Sequence, residues 1–200
     1  MESIAHEHWY EFPVTSALRQ GDIFRRLLVM WLPQDLEGAV DPPDNAQMLP
    51  VTCEWAAGDW IVMSASCDVD REANGYPQVM LGRVLPATLD NFKVKTMKDF
   101  NERAEVVRKG LEPTKFLLPE HPAATPVFPL SFVQYRIHVT MPADYLRRKG
   151  QGRLRLKHPL RETFGTWVAG NIGRVGPETA TLIPEFTKTY PAHTLKANTH

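Results

Sequence analysis

The sequence predicts an α+β fold organised as a single main domain. Short apolar or alternating runs bounded by Gly, Asn, Asp and Pro are typical of strands, and later segments carry apolar residues at helical spacing. A chain of 200 residues with 43% hydrophobic and 23% charged residues can bury one core. We expect the domain at 18–176, between an N-terminal arm at 1–17 and a C-terminal tail at 177–200.

The first strands are expected between residues 20 and 85. A Gly-Asp turn opens an apolar strand in LRQGDIFRRLLVMWLP. A short strand is expected at 51–55, closed by a turn at 57–59, and the apolar run 61–63 then predicts a central strand buried on both faces. The turn dipeptide NG at 74–75 leads into a strand at 78–85, which would form a hairpin with the central strand.

Helices and two further strands, in KFLLPE and FVQYRIHVTM, are expected in the second half. TMKDFNERAEVVRKG places Phe100, Ala104 and Val107 at helical spacing, and Gly110 is a typical residue after a helix end. The alternating segment FVQYRIHVTM predicts a strand with one polar face. A helix start follows in MPADYLRR, and an amphipathic helix is predicted at 159–172.

Several features indicate a cytoplasmic protein without a membrane span. The segment MESIAHEHWYEF is acidic and polar, unlike a secretory signal. The apolar runs are shorter than the roughly 20 residues that cross a bilayer. Cys53 and Cys67 are too few for a disulfide framework, so free thiols are expected.

The net charge is balanced, but one segment is strongly basic. Lys+Arg and Asp+Glu both number 23, so no field over the whole protein indicates nucleic-acid binding. Two interpretations of DYLRRKGQGRLRLKH stay open: a solvated helix end, where cations are favoured, and a surface that binds nucleic acid or a protein partner. The candidate binding residues are Arg147, Arg148, Lys149, Arg153 and Arg155, followed by Lys157 and His158.

The segment DWIVMSASCDVDRE ends an apolar strand in reactive side chains. These are Ser64, Ser66, Cys67, Asp68, Asp70 and Arg71. Cys67, Asp68 and Arg71 are the candidate catalytic residues, and a base would come from His138 or His158. A thiolate nucleophile needs a nearby positive charge or helix N-terminus, whereas its neighbour here is acidic. We therefore expect Cys67 to be a small buried residue and Asp68 to form an Asx turn.

Two groups of side chains contain metal-ligating atoms without the spacing of a known metal site. A calcium-binding loop of the EF-hand type needs a glycine and further ligands at fixed offsets. We expect a solvated acidic turn and arm histidines, and no metal or other cofactor. The groups are Asp68, Asp70 and Glu72, which alternate, and His6 with His8.

Three motifs in order resemble the SH3-like barrels of the MazF/PemK toxin family. They are GDIF, WIVMSASCDVDR and QVMLGRVLPAT, and they cover about residues 18–90. With HPLRETFGTWVAGNIGRVG, they also look like a group of uncharacterised bacterial proteins with a Ser-x-x-Cys-Asp turn, some encoded beside phage-defence or mobile-element genes. The resemblance implies a small SH3-like β-barrel with inserted and C-terminal helices.

The toxin resemblance is incomplete where the chemistry would be. The resemblance implies a site for RNA cleavage that consists of an Arg before the central strand and a Thr after a later strand. Thr88 matches the Thr of the toxins, but the position of their Arg corresponds to Gly58-Asp59-Trp60 in this sequence, which contains no Arg. Replacement by Arg71 or Arg83 is not expected, because acid, base and phosphate clamp must lie close together.

Two functions of different classes follow from these observations. The first is a non-enzymatic binding or accessory subunit of a bacterial defence or mobile-element system, which engages a protein partner encoded nearby or a nucleic acid. Balanced charge and the missing Arg favour it. The alternative is a Cys-dependent or toxin-like hydrolase or ribonuclease with its site at 64–71, where reactive groups are concentrated at a strand end.

Overall fold

A computed structural model describes residues 9–15, 17–31, 54–66, 78–149 and 152–172. The strands are β1 (Tyr10–Val14), β2 (Asp22–Trp31), β3 (Glu54–Val62), β4 (Gln78–Pro86), β5 (Lys115–Leu118), β6 (Ser131–Pro142) and β7 (Arg153–Leu156). The helices are α1 (Leu89–Phe92), α2 (Met97–Arg108), α3 (Ala143–Lys149) and α4 (Leu160–Ile172).

The strands form one antiparallel sheet in the order β1-β7-β2-β3-β4-β6-β5. This arrangement of one sheet with flanking helices confirms the α+β class. In the part of the chain that the structure describes, the edge strands β1 and β5 do not pair, so the sheet is not a closed barrel.

The sheet nevertheless curls around one apolar cluster. The hydroxyl of Tyr10 in β1 donates a 2.7 Å hydrogen bond to the carbonyl of Pro119, one residue beyond β5. The curl therefore brings the two edges of the sheet together through a hydrogen bond from a side chain to the main chain. This first cluster contains residues from all seven strands and from α4, including Tyr10, Ile23, Ile61, Val84, Leu118, Val133, Leu154 and Phe164.

Two further clusters lie on the opposite face of the sheet, because neighbouring residues of a strand point to opposite faces. In β4, Val84 faces the first cluster, whereas Leu81 and Leu85 pack on the other side. The second cluster joins Leu81, Trp60 and Val62 to Leu146 of α3. The third joins Leu85, Phe132 and Leu117 to Phe92 of α1 and Val107 of α2. Two helical layers thus cover one face of the sheet.

Both long helices occur where the sequence predicts them. Thr96 is the N-cap of α2, and its hydroxyl accepts a 3.2 Å hydrogen bond from the Asp99 amide. In α4, Phe164 and Val168 lie four residues apart and are buried in the first cluster. Among the described residues, no helix is both long and apolar enough to span a bilayer.

Two sequence predictions need correction. Tyr10–Val14 is not part of an arm but pairs with β7. The turn predicted at 57–59 is also wrong, because β3 runs without interruption through Gly58, and the described part of the short strand predicted at 51–55 belongs to it. A Cβ atom at Gly58 would lie 1.8 Å from Nη1 of Arg83, so this glycine permits a close side-chain approach and does not turn the chain.

Candidate functional site

The described part of the predicted reactive turn has a structural role. The Ser64 hydroxyl accepts a 2.8 Å hydrogen bond from the Met80 amide, which fastens the end of β3 to β4. The Ser66 hydroxyl accepts one of 3.2 Å from the amide of Gln20. The candidates Cys67, Asp68 and Arg71 lie outside the described residues, as do Asp70, Glu72, His6 and His8.

Some cations of the predicted basic segment are buried and others are exposed. Arg153 and Arg155 are only 5% and 4% exposed, so they do not belong to an exposed binding surface. Their Nε atoms donate to the two carboxylate oxygens of Asp22 at 2.7 and 2.6 Å. Burial lowers the pKa of Arg155, but the hydrogen bond and charge of Asp22 outweigh it, and the pKa is raised.

The other cations of that segment remain accessible at the end of α3. Arg147 Nη1 lies 2.8 Å from Oδ1 of Asp144 in the same helix, and Arg148 and Lys149 are exposed. The histidines considered as bases have other neighbours. His158 Nδ1 lies 3.1 Å from the carboxylate of Glu162, and His138 Nδ1 lies 3.1 Å from the carbonyl oxygen of Tyr135.

A polar row crosses the face of the sheet that carries α1, α2 and α3. Arg83 of β4 pairs with Gln134 of β6, which pairs with Lys115 of β5. Paired residues of an antiparallel sheet share a face. Along β4, Arg83 lies between Leu81 of the second cluster and Leu85 beside the third. The polar row, defined as Arg83, Gln134 and Lys115, therefore separates two apolar layers.

One end of the polar row opens into a cleft of about 650 Å³ beside α1 and α2. We call it the basic cleft, since three of its lining side chains are cations and one is a carboxylate. Nζ of Lys115 lies 5.6 Å from the ring centre of Phe132 and also contacts Glu112. The lining residues are Leu85, Asp90, Asn91, Phe92, Lys93, Val94, Arg103, Lys115, Gln134 and Ile137.

The other end of the row is the guanidinium of Arg83, which lies over Gly58 and 5.0 Å from the ring centre of Trp60. We call these three residues the Arg83 site. Nη1 of Arg83 and Nε1 of Trp60 are both buried and have no hydrogen-bond acceptor among the described residues. Burial lowers the pKa of Arg83, and the charge of Asp59 offsets this only in part.

The carboxylate of Asp59 is occupied by another arginine. Nε of Arg25 donates to its Oδ2 at 2.7 Å, and the amide of Arg26 donates to its Oδ1 at 2.9 Å. Strand β2 has an irregular register here, and Arg26 adopts a positive φ of 51°. Asp59 also points away from the Arg83 site, because it is the residue between Gly58 and Trp60 in β3.

Sequence reasoning missed both the basic cleft and the Arg83 site, since their residues come from separate strands and helices. The one local signal was Gly58 between strand residues, which also fits a turn. Within the described ranges, no group of three His, Cys, Asp or Glu side chains is arranged to hold a metal ion.

Comparisons with known proteins give no match: no family model fits the chain, and no curated protein matches its sequence. The functional inference therefore depends on the basic cleft and the Arg83 site.

Proposed function

We propose that this protein is a non-enzymatic binding module that engages single-stranded nucleic acid through the basic cleft. The observation that carries the proposal is the grouping of Lys93, Arg103 and Lys115 around one concave site whose lining has one carboxylate, Asp90. Glu112, outside that lining, pairs with Arg103 at 3.1 Å and with Lys115, so its charge offsets part of theirs. Clustered cations attract a phosphate backbone even when the whole protein is neutral. A concave cleft admits a single strand, whereas groove readers insert a helix or ribbon into a duplex.

The chemistry of the lining favours binding over cleavage. Metal-free RNA cleavage needs an acid, a base and a phosphate clamp at close range. The described lining residues supply cations and amide groups, with Asp90 as the one ionisable acid, on the exposed first turn of α1. Ser64 and Ser66 are engaged by backbone amides, so their hydroxyls support the hydrolase alternative less well than the sequence pattern does.

The resemblances to known proteins support a genomic context for this function and a more specific description of the fold. The likeness to bacterial proteins encoded beside phage-defence or mobile-element genes supports an accessory role in such a system, next to a protein partner encoded nearby. From the resemblance we also propose that the curled sheet is an open relative of the SH3-like barrels of the MazF/PemK type. A core drawn from all seven strands supports this assignment.

Fluorescence anisotropy with labelled single-stranded RNA and DNA, measured over a salt series, tests the proposal. The double variant Lys93→Asn and Arg103→Gln removes two cleft cations, and Asn suits the positive φ of 56° at Lys93. We expect weaker binding and a salt dependence shallower by about 1.4, since each lost phosphate contact contributes about 0.7 on a single strand.

Two control variants locate the effect. Lys98→Gln removes a cation that is 83% exposed on the same helix as Arg103 but does not line the cleft, so binding should be retained. The double variant Arg148→Gln and Lys149→Gln tests the exposed end of α3. The proposal is wrong if neither nucleic acid binds at low salt, or if only the α3 variant weakens binding.

A further inference from the structure

The geometry points to Arg83 as a phosphate-binding residue outside the basic cleft, so that a bound strand crosses β4 from Gln134 to the Arg83 site. This inference rests on the proposed function. It adds a path for the nucleic acid: the strand enters at Lys115 on β5, passes Gln134 on β6 and ends over β3. Three strand spacings of about 4.8 Å make this path roughly 14 Å long.

The guanidinium of Arg83 lies close to the backbone of β3. It lies over Gly58, where a Cβ atom would be 1.8 Å from Nη1 and 2.2 Å from Cζ. The ring of Trp60 contacts it at 5.0 Å. Glycine weakens a strand interior and commonly marks the close approach of another group. The β3 sequence therefore leaves room for this one side chain.

The guanidinium of Arg83 has a buried hydrogen-bond donor without an acceptor among the described residues. Its Nη1 and the indole Nε1 of Trp60 are two buried donors in one cross-strand pair, and neither has an acceptor among the described residues. Buried donors are nearly always paired, so these two are exceptions and the guanidinium does not use its full hydrogen-bonding capacity within the described residues. The neighbouring carboxylate, Asp59, lies on the other face and accepts from Arg25 and the Arg26 amide.

A phosphate group is the acceptor that fits best. A guanidinium presents its donors as a planar fork that matches two phosphate oxygens. Arg83 is only partly buried as a residue, so part of its side chain, though not Nη1, is open to solvent. Burial lowers the pKa of Arg83 by more than the charge of Asp59 raises it. Gln134, its partner on β6, connects this fork to the basic cleft.

Binding of a dinucleotide and of a decanucleotide to three variants tests the path. Arg83→Gln removes the charge, Arg83→Lys keeps the charge without the fork, and Gly58→Ala displaces the guanidinium while keeping its chemistry. We expect each variant to weaken decanucleotide binding, by about tenfold for Arg83→Gln. The salt dependence should also fall by about 0.7 in that variant. Dinucleotide binding in the cleft should remain unchanged.

The controls separate a local effect from loss of fold. Gly170→Ala is the matched control for Gly58→Ala, since no atom lies within 4 Å of a Cβ at Gly170. Circular dichroism checks that each variant is folded, and the two Arg83 variants remain informative if Gly58→Ala is not. If Arg83→Gln and Arg83→Lys bind the decanucleotide as the wild type does, the path is wrong and the proposed function stands. If the wild type binds no oligonucleotide, both are wrong.

Discussion

Nε of Arg155 donates a 2.6 Å hydrogen bond to Oδ1 of Asp22, and both residues are buried. The second carboxylate oxygen accepts from Nε of Arg153 at 2.7 Å and from the amide of Arg19 at 2.9 Å. One buried carboxylate thus holds two arginines of β7 beside the start of β2. Asp22 compensates charge on both arginines that has been removed from water, and Glu11 lies 4.0 Å from Nη1 of Arg155.

Replacement of Asp22 by Asn should be strongly destabilising. The change leaves two arginine charges in the interior without their shared carboxylate, and removing one partner of a buried ion pair typically costs about 3–5 kcal/mol. Urea denaturation of the wild type and of the Asp22→Asn variant measures the difference in the free energy of unfolding. The surface substitution Asp144→Asn, which removes one ion-pair partner of Arg147, is the control and should cost at most about 1 kcal/mol. Equal losses in the two variants would contradict a stabilising role for buried Asp22.

Stability should depend on the ionisation of Tyr10 at alkaline pH. Burial raises the pKa of Tyr10 far above its ordinary value, so the folded protein keeps the phenol proton while the unfolded chain loses it near pH 10. Its contribution is therefore complete below about pH 10 and falls above it, by about 1.4 kcal/mol for each further pH unit.

Guanidinium denaturation from about pH 8 to about pH 11 compares the wild type with Tyr10→Phe. At pH 8 the variant should be less stable by about 1 kcal/mol, because the Pro119 carbonyl loses its donor. Above pH 10 the two curves should converge, since the other tyrosines are common to both proteins. Parallel curves over the whole range would show that Tyr10 ionises equally in the folded and unfolded states.

Ser64 should matter for stability and not for hydrolysis. Its hydroxyl is the acceptor for the Met80 amide, so Ser64→Ala leaves a part-buried donor unpaired, at a cost of about 1–3 kcal/mol. Thr166→Ala removes a hydroxyl that bonds the Glu162 carbonyl on the exposed surface of α4, and should change stability by less than about 0.5 kcal/mol. Thermal unfolding compares the two variants. If the wild type hydrolyses an ester or RNA and the Ser64→Ala variant does not, the hydrolase alternative is favoured.

Elements with a local signal were predictable from the sequence. The spacing of Phe100, Ala104 and Val107 indicates α2, and the predicted end at Gly110 agrees with the structure. The central strand and its pairing with β4 were equally clear. The four-residue helix α1 is too short to show a periodic pattern, and no feature of the sequence indicated it.

The candidate site was not predictable in the same way, because its features depend on distant residues. RLRL at 153–156 has the alternation of a half-exposed strand, yet all four residues are buried. The reason is Asp22, which lies 131 residues before Arg153 in the chain. Gly58 was ambiguous for the same reason. A Gly followed by Asp59 is typical of a turn, and only the contact with Arg83 of β4 explains why a glycine lies inside a strand here.

The position of β7 between β1 and β2 has a consequence for synthesis on the ribosome. Tyr10 pairs with Leu156, and Ile23 pairs with Leu154, so both N-terminal strands need a partner that is translated much later. Until then β1 has no neighbour, and one side of β2 is an open edge with Asp22 uncompensated. Contacts of such long sequence separation form slowly. We therefore expect the nascent chain to be prone to aggregation until β7 is translated, and a fragment that ends before β7 to fold poorly.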